Sequence, residues 1–158
     1  MEPLSDIEIF RRLGLAMLAG VLFGLEREHA DKPAGVRTFM LVCEGAALFM
    51  LCGLLLSDQL AAANRISDPG RIASTVIQGI GFIAAGVILT RGSQIVGLTT
   101  AAGIWVTAAI GLLIGAGFEV VGLGATVVTV VSLYVLRVVG RHVGDARPPD
   151  SPHRSDRD

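Results

Sequence analysis

The chain reads as blocks of apolar residues separated by short polar breaks. Between Arg91 and Arg137 the only charged side chain is Glu119, so Gly92–Phe118 and Val120–Leu136 form two successive apolar lengths. A hydrocarbon core about 30 Å thick is crossed by about 20 apolar residues of helix, and both lengths approach or exceed that. Extended along the chain, the pattern predicts five spans, at about residues 9–25, 38–56, 72–90, 98–117 and 120–137. The first is short in its apolar body, Leu13–Leu25, but Ile7, Ile9 and Phe10 extend it and the stems of Arg11 and Arg12 can snorkel. A basic pair before an apolar run also fits a cleaved signal peptide; Glu2, Asp6 and Glu8 in the leader, and the lack of a small-x-small site after Leu25, argue against it. The predicted fold class is therefore all-α: a polytopic transmembrane helical bundle over residues 1–143. The tail, 144–158, is Pro, Asp, Arg and Ser without apolar periodicity and is expected to be disordered.

Composition agrees with a membrane setting. Hydrophobic residues make up 52% of the chain and charged residues 17%, with a mean hydropathy of +0.65, against about 25% charged in ordinary soluble domains. The net charge of -1 selects no partner. Nine Lys and Arg fall on the side of loop one, loop three and the C-terminus, and four on the other. The positive-inside rule then predicts an N-terminus outside and a cytoplasmic C-terminus. The expected partners are the lipid bilayer and either further copies of the chain or another membrane protein complex, not nucleic acid.

Small residues recur on helical stripes. Ala16, Gly20 and Gly24 share one stripe of the first span, and Thr99, Gly103, Thr107, Gly111 and Gly115 share one of the fourth. Without a hydrophobic drive between helices in lipid, such stripes let backbones approach closely. They predict a central fourth span or a dimer seam, with a pore lining as the alternative. Gly79, Gly81 and Gly86 are candidates for the same role in the third span. Cys43 and Cys52 are nine residues apart, on opposite faces of one helix, so they cannot pair with each other. They read as small buried hydrophobes, with a disulfide across a dimer left open. No metal site is predicted.

Polar groups inside spans are functional candidates, because an ionised side chain there costs about 2.5–3.5 kcal/mol on insertion scales. Glu44 lies about two turns into the second span and reads either as a proton or cation site or as an interfacial group reaching Arg37 or headgroups. Gln78, Thr99 and Thr100 are further candidates for a polar path. The first loop is unusually charged, with Glu26, Arg27, Glu28, Lys32 and Arg37 around a Pro33–Gly35 turn, and Thr38 is placed to cap the second helix. It reads either as an ion-pair network fixing helix ends or as a contact site. No nucleophile with its base and no phosphate loop is recognisable; Gly79–Ile80–Gly81 lies inside a span with no strand before it. An enzyme is therefore not expected, nor a cofactor.

These segments carry a resemblance. Gly24–Leu25–Glu26–Arg27–Glu28 followed by Pro33–Ala34–Gly35–Val36–Arg37–Thr38 resembles the opening signature of the MgtC/SapB family of bacterial membrane proteins. Asp68–Pro69 with Arg71–Ile72–Ala73, then Gly79–Ile80–Gly81–Phe82 and Ala85–Gly86, is similar to the family's third-span motif. Gly97–Leu98–Thr99–Thr100–Ala101–Ala102 with Trp105 resembles its fourth-span motif. The resemblance implies a plasma-membrane protein of about five spans, of the shorter SapB/YhiD-like type that lacks a soluble C-terminal domain. It also implies an association with magnesium limitation and, for some members, with survival inside host cells. Departures are Phe39 where His or Asn is usual, Val96 where a basic residue is usual, and Glu44 at a normally apolar position. The expected function is a regulatory or adaptor membrane protein, with an oligomeric magnesium or proton channel or transporter as the alternative.

Overall fold

The computed structural model describes residues 4–63, 65, 68–91 and 94–144; the expected tail lies outside them, apart from Gly144. Five helices and one hairpin follow in chain order among the described residues: α1 Asp6–His29, α2 Val36–Ala62, α3 Pro69–Ala85, β1 Leu89–Arg91, β2 Gln94–Val96, α4 Leu98–Gly115 and α5 Glu119–Gly144. Local chemistry sets the ends. Ser5 accepts from the Glu8 backbone N–H at 3.3 Å, and Asp6 and Glu8 in the first turn with Arg27 and His29 in the last complement the dipole of α1. Asp68 accepts from the Gly70 N–H at 2.9 Å, with Pro69 at the first helical position of α3. α2, α4 and α5 are long and apolar enough to cross a membrane. α1, α2 and α5 run beyond their predicted spans because hydropathy marks only the lipid-crossing part, whereas polar turns continue the backbone ladder into water; α4 ends at Gly115, two residues inside its predicted span.

The fold is all-α except for the hairpin, and the hairpin is where the third predicted span fails. The apolar run to residue 90 is not one helix: α3 stops at Ala85, and Leu89–Arg91 pairs antiparallel with Gln94–Val96. At 1.5 Å per residue, the 17 residues of α3 reach about 26 Å, short of a typical hydrocarbon core. β-Branched and Thr residues (Val87, Ile88, Thr90, Ile95, Val96) favour the strand, which hydropathy alone does not distinguish from helix. Two open-edged strands cannot sit in lipid, so this segment belongs at the membrane boundary. Gly97 closes it in the left-handed region (φ 92°), and a Cβ there would lie 2.1 Å from the Val87 carbonyl oxygen.

α4 packs on all four other helices, with α1 and α2 forming the other large contact. Its central place rests on missing side chains. A Cβ at Gly111 would stand 2.2 Å from the Cys43 carbonyl oxygen, one at Gly115 2.7 Å from that of Ala47, and one at Gly103 3.1 Å from the Phe23 ring. On the α1–α2 seam, a Cβ at Gly20 would stand 2.6 Å from Met40 Cα and one at Gly24 2.5 Å from Val36 Cα. The rings of Phe23 and Phe39 stack at 4.8 Å beneath Gly103. By contrast, among the described residues nothing lies within 4 Å of a Cβ at Gly79 or Gly81, and Gly86 meets only its own preceding turn, so these three make no close helix contact there.

These contacts define two ends. The C-terminus of α1, the N-termini of α2 and α4, the hairpin and the C-terminal part of α5 share one, because Gly24 meets Val36, Gly103 meets Phe23 and Glu26 meets Arg137. The N-terminus of α1, the C-terminus of α4 and the start of α5 share the other, where Arg12 reaches the Gly115 carbonyl.

The glycine contacts predict an asymmetry. Gly111→Val should lower stability by about 1–3 kcal/mol or more, the cost of overpacking a tight interface, because its new atoms meet backbone that cannot rotate away. Gly45→Ala, where nothing lies within 4 Å, should change little. Thermal unfolding in detergent, followed by helical circular dichroism, compares the two.

Candidate functional site

Two ionic clusters close the bundle, one at each end, the first partly exposed and the second largely buried. At the α1 N-terminal end, Arg12 donates to Glu8 Oε1 from Nε (3.2 Å) and Nη2 (2.5 Å) and from Nη1 to the Gly115 carbonyl at 3.0 Å. Arg11 pairs with the other arm of the cluster, Glu119, whose Oε1 lies 3.8 Å from Arg12 Nε. Arg12 thus satisfies an orphan carbonyl at the end of α4 while tying α1 to α5. Its guanidinium, aided by Arg11, also holds the Glu8 carboxyl below the usual carboxylate range. Sequence reasoning missed this network. The signal was present: Glu119 is the lone charge between the last two spans, and the spans' alternation places it at the end where Arg11 and Arg12 stand.

The opposite end gathers the loop-one residues. Glu26 and Arg27 are buried, and their side chains are 6% and 4% exposed. Arg137, arriving on α5 from a distant part of the chain, donates from Nη2 to Glu26 Oε1 at 2.5 Å, while Arg27 Nη1 lies 3.4 Å from Glu26 Oε2. One carboxylate is therefore shared by two guanidiniums. Arg27 Nε and Nη2 and Arg137 Nε are buried without a hydrogen-bond partner among the described residues, as is the hydroxyl of Thr100 in the first turn of α4. Arg137 also lies over the Tyr134 ring, 5.7 Å from its centroid.

The remaining loop-one residues divide by role. Glu28 Oε2 accepts from the Val36 N–H at 3.1 Å, so it caps α2 across the loop. Thr38 does not cap this helix: α2 begins two residues earlier with Gly35 as N-cap, and the Thr38 and Phe39 N–H groups both donate to the Gly35 carbonyl. Pro33 and Gly35 lie in the connection, where a Cβ at Gly35 would meet Glu28 Oε2 at 2.8 Å. Arg37 is exposed and makes no ion pair among the described residues.

The intramembrane polar candidates do not converge within the protein. Glu44 is half-buried without a hydrogen-bond partner among the described residues and does not pair with Arg37; Gln78 and Thr99 are exposed, and Thr100 is buried. Asp68 and Arg71 stand at the start of α3, at the opposite end from loop one, and Trp105 lies about half-exposed on the outer face of α4. Cys43 is buried and Cys52 exposed, both free. Among the described residues no His, Cys, Asp or Glu group could hold a metal. Between α2 and α3 runs an apolar groove of about 770 Å³ with Arg71 among its lining residues.

Comparison with known proteins follows these segments. The model of the MgtC family matches residues 13–142. YhiD of Escherichia coli K12, whose name assigns it magnesium transport provisionally, is 47% identical over 129 residues, 81% of this chain and 60% of that protein. Protein MgtC of Salmonella typhimurium LT2 is 40% identical over 128 residues, 81% of this chain and 52% of that protein. A Haemophilus influenzae protein described as uncharacterized is 41% identical over 138 residues, 85% of this chain and 58% of that protein. The chain thus spans between half and three-fifths of the length of these relatives. No solved structure matches it.

Removing the shared carboxylate exposes what it balances. Glu26→Ala should cost about 3–5 kcal/mol, the penalty of stranding buried charge, because two guanidiniums lose their common acceptor. Glu26→Ala combined with Arg27→Met should recover part of that loss, measured as a double-mutant cycle on thermal unfolding in detergent.

Proposed function

The chain belongs to the MgtC family, and from that premise we propose that this membrane protein is a bacterial inner-membrane regulator or adaptor linked to magnesium limitation or membrane ion homeostasis. It acts by contact, not by catalysis. The observation that carries the reading is the gathering of the loop-one and fourth-span motif residues at one end of the bundle. There Arg37 and Thr99 are exposed, while the interior between the two ionic clusters is mostly apolar, and its Thr107 and Thr126 hydroxyls donate to carbonyls of their own helices. Exposed polar residues at a helix entry suit recognition of a partner; a mostly apolar interior with engaged hydroxyls offers an ion few coordinating oxygens. The Lys and Arg counts support a cytoplasmic loop-one end, and on this reading the partner contact is cytoplasmic or at that membrane face. The partner is another membrane protein complex or a second copy of the chain.

A second reading, an oligomeric magnesium or proton channel or transporter, is favoured by two observations: the half-buried, unpartnered Glu44 and the provisional transport name of the relative YhiD. In an assembly, faces that are exposed in one copy could bring Glu44 and Gln78 to a shared path.

Ion flux into liposomes holding the purified protein, read with magnesium and proton indicators, separates the two. The regulator predicts flux indistinguishable from empty liposomes. In cells under magnesium limitation it predicts that Arg37→Ala loses function at normal abundance, while Glu44→Gln retains it. Flux that disappears in Glu44→Gln would establish transport instead.

A further inference from the structure

The ionic cluster of Glu26, Arg27 and Arg137 is incomplete in both charge and hydrogen bonds. Glu26 offers two oxygens, and each is engaged by one arginine. Among the described residues, two guanidiniums against one carboxylate leave one excess positive charge in a site where Arg27 is 3% exposed. An unbalanced buried charge costs several kcal/mol unless something neutralises it.

The unmade bonds are not scattered over the guanidinium. Arg27 uses Nη1 toward Glu26 and leaves Nε and Nη2 without partners. Those two nitrogens form one edge of the planar group, with parallel N–H bonds that match two oxygens of a phosphate or carboxylate. Arg137 Nε and the Thr100 hydroxyl are further buried groups without partners at the same end. Thr100 lies in the first turn of α4, whose free N–H groups and dipole add positive potential there. Arg137, a quarter exposed, and the exposed Tyr134 mark the side from which the cluster meets its surroundings. Tyr is favoured at the level of lipid headgroups.

From this geometry we infer that the Arg27 edge, with Arg137 on the same carboxylate and the Thr100 hydroxyl at the same end of the bundle, receives a phosphate oxyanion, and that the singly charged phosphodiester of an anionic lipid headgroup is its occupant. A single negative charge neutralises the cluster, and the partners lie where two helices meet the membrane boundary. The site goes beyond the regulatory reading and does not depend on it. The same chemistry could come from a soluble phosphate, and the test separates the two sources.

The full chain is purified in neutral detergent and its thermal unfolding is followed by circular dichroism. It is titrated at constant ionic strength with phosphatidylglycerol mixed micelles, phosphatidylcholine mixed micelles or inorganic phosphate. Phosphatidylglycerol should raise the melting temperature saturably, with phosphatidylcholine and inorganic phosphate giving little. Arg27→Met and Arg27→Lys should each weaken the phosphatidylglycerol effect by about tenfold or more, since a bidentate charge-assisted pair is lost. Lys32→Met, an exposed charge on the same loop, should not. Arg27→Met leaves Glu26 paired with Arg137, so its melting temperature without lipid should be unchanged or higher; an equal fall with and without lipid marks a purely structural arginine and overturns the site. Stabilisation by inorganic phosphate that Arg27→Met abolishes keeps the site but assigns it to soluble phosphates. No stabilisation of the wild type by any probe, or full stabilisation of both Arg27 variants, overturns it. Should Arg27→Met fail to accumulate, Arg27→Lys and the wild-type titrations decide.

Discussion

Close backbone approach along α4 is the constraint on which the rest of the structure depends. Lipid tails are as apolar as the helix surfaces, so burying Leu or Val between helices gains little over leaving it in the bilayer; dispersion over closely packed backbone is what remains. Gly103, Gly111 and Gly115 supply the approach to Phe23, Cys43 and Ala47, and Gly20 and Gly24 supply it between α1 and α2. Thr107 occupies the same stripe without opening the seam, because its hydroxyl donates to the Gly103 carbonyl inside its own helix. α5 lacks a comparable seam and stays largely exposed, with Val120, Val127, Val128, Val131 and Leu136 facing outward toward lipid.

Fixing the helices in this way also fixes what meets at their ends. At the α1 N-terminal end, the charges are matched: Arg11 and Arg12 face Glu8 and Glu119, and the remaining donor of Arg12 caps α4. Such a cluster holds three helices in register with its charges balanced two against two. At the loop-one end the same residue types are left unmatched, one carboxylate for two arginines. The contrast separates a structural ion network from one with spare binding capacity, although both read alike along the chain as arginines next to glutamates.

Outside these ends the protein presents mostly apolar surface. The α2–α3 groove is open and carries Gly45 and Gly79 without close neighbours among the described residues, whereas Gly20 and Gly24 of α1 and Gly111 and Gly115 of α4 are met by adjacent backbone. Small residues at helical spacing therefore do two different things in this chain, and only the packing tells them apart.

Much of the fold was legible because its determinants are local. Apolar run length, caps such as Asp68 before Pro69, and the period-four stripe of α4 are properties of short segments, and they yielded an all-α membrane bundle with α4 at its centre. The third span departs from its hydropathy because hydropathy reports affinity for lipid, not backbone conformation, and Val87 to Leu89 is as apolar in a strand as in a helix. Thr38 suits a cap locally, whereas Glu28, reaching across the loop to Val36, is a contact that spacing does not reveal. The loop-one motif marked Glu26 and Arg27 from residues alone; Arg137, which lies 111 residues from Glu26 in the chain, joins them only when α5 folds back beside α1. Whether a charge is balanced is likewise a property of everything packed around it. The sequence by itself therefore determined the solvent, the helices and the polar loop, and the tertiary structure alone decided which arginines share a carboxylate and which donors are left over.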